Sequence, residues 1–535
     1  MSGLGVRSMF LFLILLGSLQ QSQRGTGAAG HNPELGKVVF TCSCSARAQE
    51  EIARGVALLH SFQYQEANAT FTDAAAREPS CAMAHWGIAM ANTRLLWHLP
   101  GAGELDAGLN QATLAERLLA PTDRERRYIA AAAAFFQDDV KLPYARRVLA
   151  LKAVLGNLAS KYPEDVDAQA FYALSLVTLA HLEARGSMEE LSYRQQALDI
   201  LEPLFAKNPD HPGLAHYIIH AADTSTLASR GIEAARRYAA IAPSSPHALH
   251  MPSHIFFWLG MWKEAAACNL AAAHAGQEAT LEAHGSADYT LHAMDFLDYS
   301  YLQGGSMRQA QRLTTDLANV PGAPSRQLEF YRTLLDARNS LELHQWRQAA
   351  SLPDPSPVAR SRGFAYFVRA VGAARSGNID EAKKQLDKLV QLQDSVLWNQ
   401  VQFEEAEAWL DHAEGKNTDA IALLRSASED ESVALADSLL MPAREMLADL
   451  LLELNRPEEA LAEYKVVLSV NRNRFDALSG AIRAAHNSGR NGEAAQLYST
   501  LLSGVLPDAD RPELDELKAL LPNPRTLTDG SINRK

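Results

Sequence analysis

The sequence is poor in positive charge. Lysine and arginine number 50 against 63 aspartate and glutamate in 535 residues, a formal net charge of -13. That argues against a nucleic-acid or anionic-membrane binder, since either needs a basic stripe. There is no phosphate loop, dinucleotide fingerprint or nucleophile elbow. There is no H-E-x-x-H either, so a zincin-type protease is not supported. No apolar run, the N-terminal one included, is long enough to cross a bilayer. No convincing run of strands is present, and Lys37 to Phe40 is too short to count. What is present is 47% hydrophobic and 21% charged residues, a composition that folds. The length exceeds one ordinary core, leaving several domains or a long repeat array.

The first residues have the form of a signal peptide. Arg7 supplies a short positive region, and Met9 to Gly17 is the apolar stretch. Cleavage is expected between Thr26 and Gly30. The mature chain would then be periplasmic or secreted, with no integral membrane segment. The alternative is an uncleaved N-terminal segment acting as a membrane anchor. Cysteine is scarce: Cys42, Cys44, Cys81 and Cys268. Cys44 stands just before the first repeat and Cys81 at its end. An exported protein meets an oxidising compartment, so a Cys44–Cys81 disulfide is the preferred reading, with free buried thiols as the alternative. A metal site on Cys42-Ser43-Cys44 is disfavoured, because no second cysteine pair stands at zinc-ligand spacing.

The chain repeats. Ala48 to Cys81 carries Gly55, Ala67, Phe71, Ala74 and Pro79 at offsets 8, 20, 24, 27 and 32. Small residues let two helices approach, the aromatic fills the gap, and proline ends the second helix. A turn of form G-x-x-x-E-A, with Gln or Asp in place of Glu in two copies, recurs: Gly260 to Ala265, Gly305 to Ala310, Gly377 to Ala382, Gly415 to Ala420 and Gly489 to Ala494. His344 to Ala349 and Asn455 to Ala460 repeat it with another first residue. The period is near 34, that of a tetratricopeptide repeat. The expected fold is all-α, a right-handed superhelical solenoid of about nine or ten helix pairs. Residues 1–30 are expected as signal peptide and linker and 31–45 as a lead-in. An N-terminal array of 46–320 and a C-terminal array of 321–505 follow, with 506–535 as a frayed tail.

The sequence also resembles a group of bacterial, mostly exported tetratricopeptide proteins. The segments that carry the resemblance are Leu58 to Phe62, Cys81 to Gly87, Ala215 to Ala221, Pro246 to Phe256 and Pro442 to Glu445. The resemblance implies the fold and no particular reaction. It also implies that helix-A positions 2, 5, 9, 12 and 13 of each repeat line a concave, ligand-holding groove. With units starting at Pro212, Pro246 and Leu291, His216, His220 and Asp223 fall on those positions. So do His247, His250 and His254, and then His292, Asp295 and Tyr299.

Each of the pairs His216/His220 and His250/His254 is spaced i, i+4, so its imidazoles share a helix face. One repeat apart, the pairs should stack, His216 over His250 and His220 over His254. Neutral imidazoles suit zinc, copper or iron. His216, His220, His250 and His254 are therefore the candidate metal ligands. Asp223, His247, His292, Asp295 and Tyr299 are further ligand-binding candidates. The plain alternative is a set of histidines hydrogen-bonded inside a tight superhelix. Pro252, between His250 and His254, should split that helix and re-aim His254. His60, His85 and Trp86 read more simply as packed core residues. Two functions compete. One is an extracytoplasmic scaffold holding a protein, peptide or small ligand in a His/Asp-lined groove, with or without a metal. The other is a metal-dependent enzyme or metal-handling protein.

Overall fold

The computed structural model describes residues 34–521, except 138–141, 282–286, 357–358, 360, 394, 396–398 and 435–440. The expected signal peptide, with its anchor alternative, and the end of the tail lie outside the described residues. Among the described residues the protein is all helix, with no strand, and successive helices pack as antiparallel pairs. It is a tetratricopeptide-like superhelical solenoid. Counting 246–258 as one broken helix, twelve pairs can be followed. Extra pairs fall between residues 100 and 210, where the sequence period lengthens. No described helix is long and apolar enough to cross a membrane.

The first pair shows why these residues form this unit. Ser45 caps the helix Ala46–His60, its side chain accepting from the Ala48 amide. The partner helix is Tyr64–Arg77. Phe71 is fully buried between the two helices and the next one, Ala82–Ala91. A Cβ placed on Gly55 or Gly87 would collide with the Phe71 ring. Both helices approach an aromatic that only glycine admits. Cys44 and Cys81 are disulfide-bonded, with Cα atoms 5.4 Å apart, and tie the start of the first pair to the start of the second.

The recurring turn has a backbone reason. Gly260, Gly305, Gly377, Gly415 and Gly489 all have positive φ, as do His344 (52°) and Asn455 (56°) at the same place in their units. This residue closes helix A in the left-handed conformation and so favours glycine or asparagine. Phe62 stands at that place in the first unit with φ 56°. A bulky residue there is strained by about 1–2 kcal/mol.

The array does not run on as a rod. Its last third folds back on its middle. Trp262 Nε1 donates to the Asn473 carbonyl (2.8 Å), and Asn473 Nδ2 to the Gly260 carbonyl (3.1 Å). The Phe475 amide donates to Gln303 Oε1 (2.9 Å), and the Leu506 amide to the Gly304 carbonyl (2.8 Å). Arg474, fully buried, donates to Glu445, Glu342 and the Tyr299 hydroxyl. The expected division at 320/321 is bridged as well, because Arg338 donates to Asp295 (2.6 Å) and Asp298 (2.9 Å).

The expectation of a frayed tail is corrected up to residue 521. Arg511 is buried and donates to Asp476, Glu513 and the Glu342 carbonyl, and the helix Glu513–Leu520 follows. One buried arginine with three acceptors, two of them buried, outweighs a Pro- and Asp-rich composition that reads as loop.

A candidate metal centre built from two histidine triads

The helix Pro212–Ala222 begins with His211 as cap and Pro212 in its first turn. Its buried face carries His216 and His220. In the next unit Ser245 caps Pro246–His250, and Pro252 opens a second short helix, Pro252–Trp258. The expected break is there, and it lets His250 and His254 converge. His292 comes from Ala287–Gln303.

The stacking differs from the expected one. His216 meets His247 rather than His250. His216 Nε2 lies 3.1 Å from both His220 Nε2 and His247 Nε2. His250 Nε2 lies 3.0 Å from His254 Nε2, and the His250 and His292 rings are 4.5 Å apart at their centroids. The six imidazoles thus form two triads, 216/220/247 and 250/254/292, each with one ligand atom per residue within 4.8 Å of the others. The triads abut at His247 and His250, whose ring centroids are 6.3 Å apart. Two phenylalanines cover them. Phe62 lies 4.3 Å from His216, 5.3 Å from His220 and 5.7 Å from His247. Phe296 lies 4.8–4.9 Å from His250, His254 and His292.

The outward nitrogens of three of the six are fixed. His216 Nδ1–H donates to the His60 carbonyl (2.6 Å). His250 Nδ1–H donates to Asn269 Oδ1 (2.6 Å), and Asn269 is oriented by its own amide donating to the Ala265 carbonyl. His254 Nδ1–H donates to Asp223 Oδ2 (3.0 Å), whose other oxygen accepts from Trp258 Nε1 (2.7 Å). A neutral histidine that donates from Nδ1 carries a lone pair on Nε2. His250 and His254 therefore point two lone pairs at each other across 3.0 Å. That arrangement needs a cation between them, a metal ion or a proton.

Burial pushes His216, His220, His247, His250 and His292 away from the charged form. His216 is held down at about 3 and His292 at about 4. Burial also lowers His220, His247 and His250, with neighbouring histidines adding to it. Burial alone would raise the Asp223 carboxyl, but His254 and Arg194 outweigh it and hold it below the ordinary range.

The remaining candidates go elsewhere. Asp295 is taken by Arg338, and Tyr299 by Arg474. His85 is hydrogen-bonded to Gln111 and to the Pro79 carbonyl, while Trp86 stacks on Phe40. A third group has His60 Nε2 and His211 Nε2 on Asp167 Oδ1 (2.9 and 3.3 Å) and His60 Nδ1 on the Tyr217 hydroxyl (2.9 Å). Each ring nitrogen there has a protein partner, so that group is satisfied as it stands. A cleft of about 750 Å³ opens over His211 and Asp167. The sequence pattern alone did not bring His60 and Asp167 together, because they are 107 positions apart.

No protein-family model and no curated protein matches this chain. Similar solved structures include the human IFIT1 dimer with m7Gppp-AAAA. It is 16% identical at a TM-score of 0.35, with 87% of this chain and 91% of that one covered. The human IFIT1 dimer with PPP-AAAA is 14% identical at 0.35, covering 86% and 91%. A monomeric IFIT1 mutant with Gppp-AAAA is 14% identical at 0.36, covering 78% and 90%. Likeness at this level carries no argument about function.

Proposed function

We propose that this helical-repeat protein is an exported metalloprotein whose two histidine triads hold a pair of late first-row transition-metal ions. The observation that carries the reading is the meeting of His250 and His254, lone pair to lone pair, with both outer nitrogens already donating. Hydrogen-bonded outer nitrogens are how metal-bound histidines are oriented. The spacing fits as well. With metal–nitrogen bonds of about 2.05 Å, nitrogens 3.0–3.1 Å apart subtend about 95–100° at the ion. The Cys44–Cys81 disulfide supports an oxidising compartment.

The buried faces of 216, 220, 247 and 250 favour a held ion over an open peptide groove at this end of the array. The test is elemental analysis of the untagged mature chain after exposure to Zn(II), Cu(I) and Fe(II) in turn. About two equivalents of one metal should survive desalting and raise the melting temperature. His292→Ala, which removes a half-buried ring, should lower the content to about one. Less than half an equivalent of every metal, with melting indifferent to chelator, would sink the reading and leave a proton between His250 and His254.

A further inference from the structure

Resting on the metal reading above, we infer that the pair is copper held as Cu(I) and that it reduces dioxygen to hydrogen peroxide. The donor set points to the metal. Each triad is three imidazoles with no thiolate and no carboxylate. Asp223 is the carboxylate hydrogen-bonded to the imidazoles, and it touches only the outer nitrogen of His254. Asp295 and Asp298 are committed to Arg338. Arg194, fully buried, donates to the His220 carbonyl (2.7 Å), and its charge is met by the equally buried Glu190 (2.9 Å). Two divalent ions would place four positive charges in this phenylalanine-covered, buried space. Two monovalent ions halve that charge. Cu(I) accepts three nitrogen donors, and copper is the tightest divalent ion of its row for such ligands once oxidised.

The chemistry follows from there being two ions. Each Cu(I) gives up one electron and becomes Cu(II). Dioxygen takes both electrons and a proton from each of two waters and leaves as hydrogen peroxide, and the two hydroxides that remain offset the charge gained by the two Cu(II) ions. No other oxidant or reductant enters the step. The triads abut, so a single small molecule can draw on both. The site is not sealed on the His254 side, where that ring keeps 18% of its side chain exposed. Dioxygen is small and apolar enough to use such an opening.

The experiment loads the metal-free chain with Cu(I) under argon, removes unbound copper and admits air-saturated buffer. Oxygen uptake is followed with an electrode and peroxide with a peroxidase-coupled dye. The expected result is about one dioxygen consumed and one peroxide released per two bound coppers. His292→Ala should retain about half the copper and lose at least about tenfold of the uptake rate, with unchanged helicity by circular dichroism. Copper that binds at about two per chain but stays Cu(I) in air overturns the redox inference and leaves the metal site standing. Retention of Zn(II) with no retention of Cu(I) overturns it too. Failure to retain any metal overturns both readings.

Discussion

Replacing Arg474 with methionine removes the positive charge paired with both the Glu342 and Glu445 carboxylates. All three side chains are at most 1% exposed. Methionine fills most of the space, so the loss is chiefly electrostatic. Burial already pushes the Glu445 carboxyl up to about 8 against the pull of Arg474, and without that guanidinium one further carboxylate must take a proton. Protonating a glutamate of ordinary pKa 4.3 costs about 3.7 kcal/mol at pH 7 and about 1 kcal/mol at pH 5. The variant should therefore be less stable by about 4 kcal/mol at pH 7, and the deficit should shrink to about 1–2 kcal/mol at pH 5. The sign is fixed: the folded variant holds a proton that the unfolded chain has released, so acid restores stability. Urea denaturation at both pH values, followed by circular dichroism, gives the numbers. A loss below about 1 kcal/mol at pH 7, or an equal loss at both, would refute the reasoning. Proteolysis adds a local readout, because residues 471–511 should become cleavable before the first repeats.

Three further outcomes are expected. Phe62→Gly should relieve the left-handed strain yet lose a buried ring, for a net loss of about 2–4 kcal/mol in a denaturant melt. Full stability in that variant would show that the ring contributes nothing. In the metal-free protein His216 and His292 should stay neutral from pH 7.5 to 5, because burial holds them at about 3 and about 4. Imidazole NMR signals of those two rings that titrate near 6.5 would contradict this. Reducing Cys44–Cys81, which closes a separation of 37 residues, should cost about 3–4 kcal/mol, read as a lower unfolding midpoint in the presence of reductant.

Helix pairing was legible from the sequence because packing residues recur on a fixed frame: Gly55 and Phe71 sit where the repeat places them. The same frame put His216, His220, His250 and His254 on inward faces. It could not give their partners. Stacking by equal positions pairs 216 with 250, but Pro252 shifts the second segment so that 247 reaches 216 and 250 turns to 254 and 292. Asp295 and Tyr299 share the face, yet Arg338 of the next repeat and Arg474 of a distant one claim them. Phe62 was invisible as part of the site, because a turn position ordinarily filled by glycine gives no hint that its side chain will reach across to another repeat. The docking of residues 470–511 had no local signature, since Arg474 and Arg511 look like surface charges until their acceptors arrive.

The fold-back of the last third changes what kind of polymer this protein is. Repeat arrays ordinarily behave as one-dimensional chains that fray from either end, each unit answering to its neighbours alone. Here hydrogen bonds join residues 175 and 211 positions apart. Melting the final units must open the middle ones, so unfolding should be a single cooperative event. The closing contacts also come last from the ribosome. The histidine wall is complete by residue 292, while its bracing waits for residue 474. A chain leaving the ribosome therefore spends an interval with Gly260, Trp262 and Gln303 uncovered.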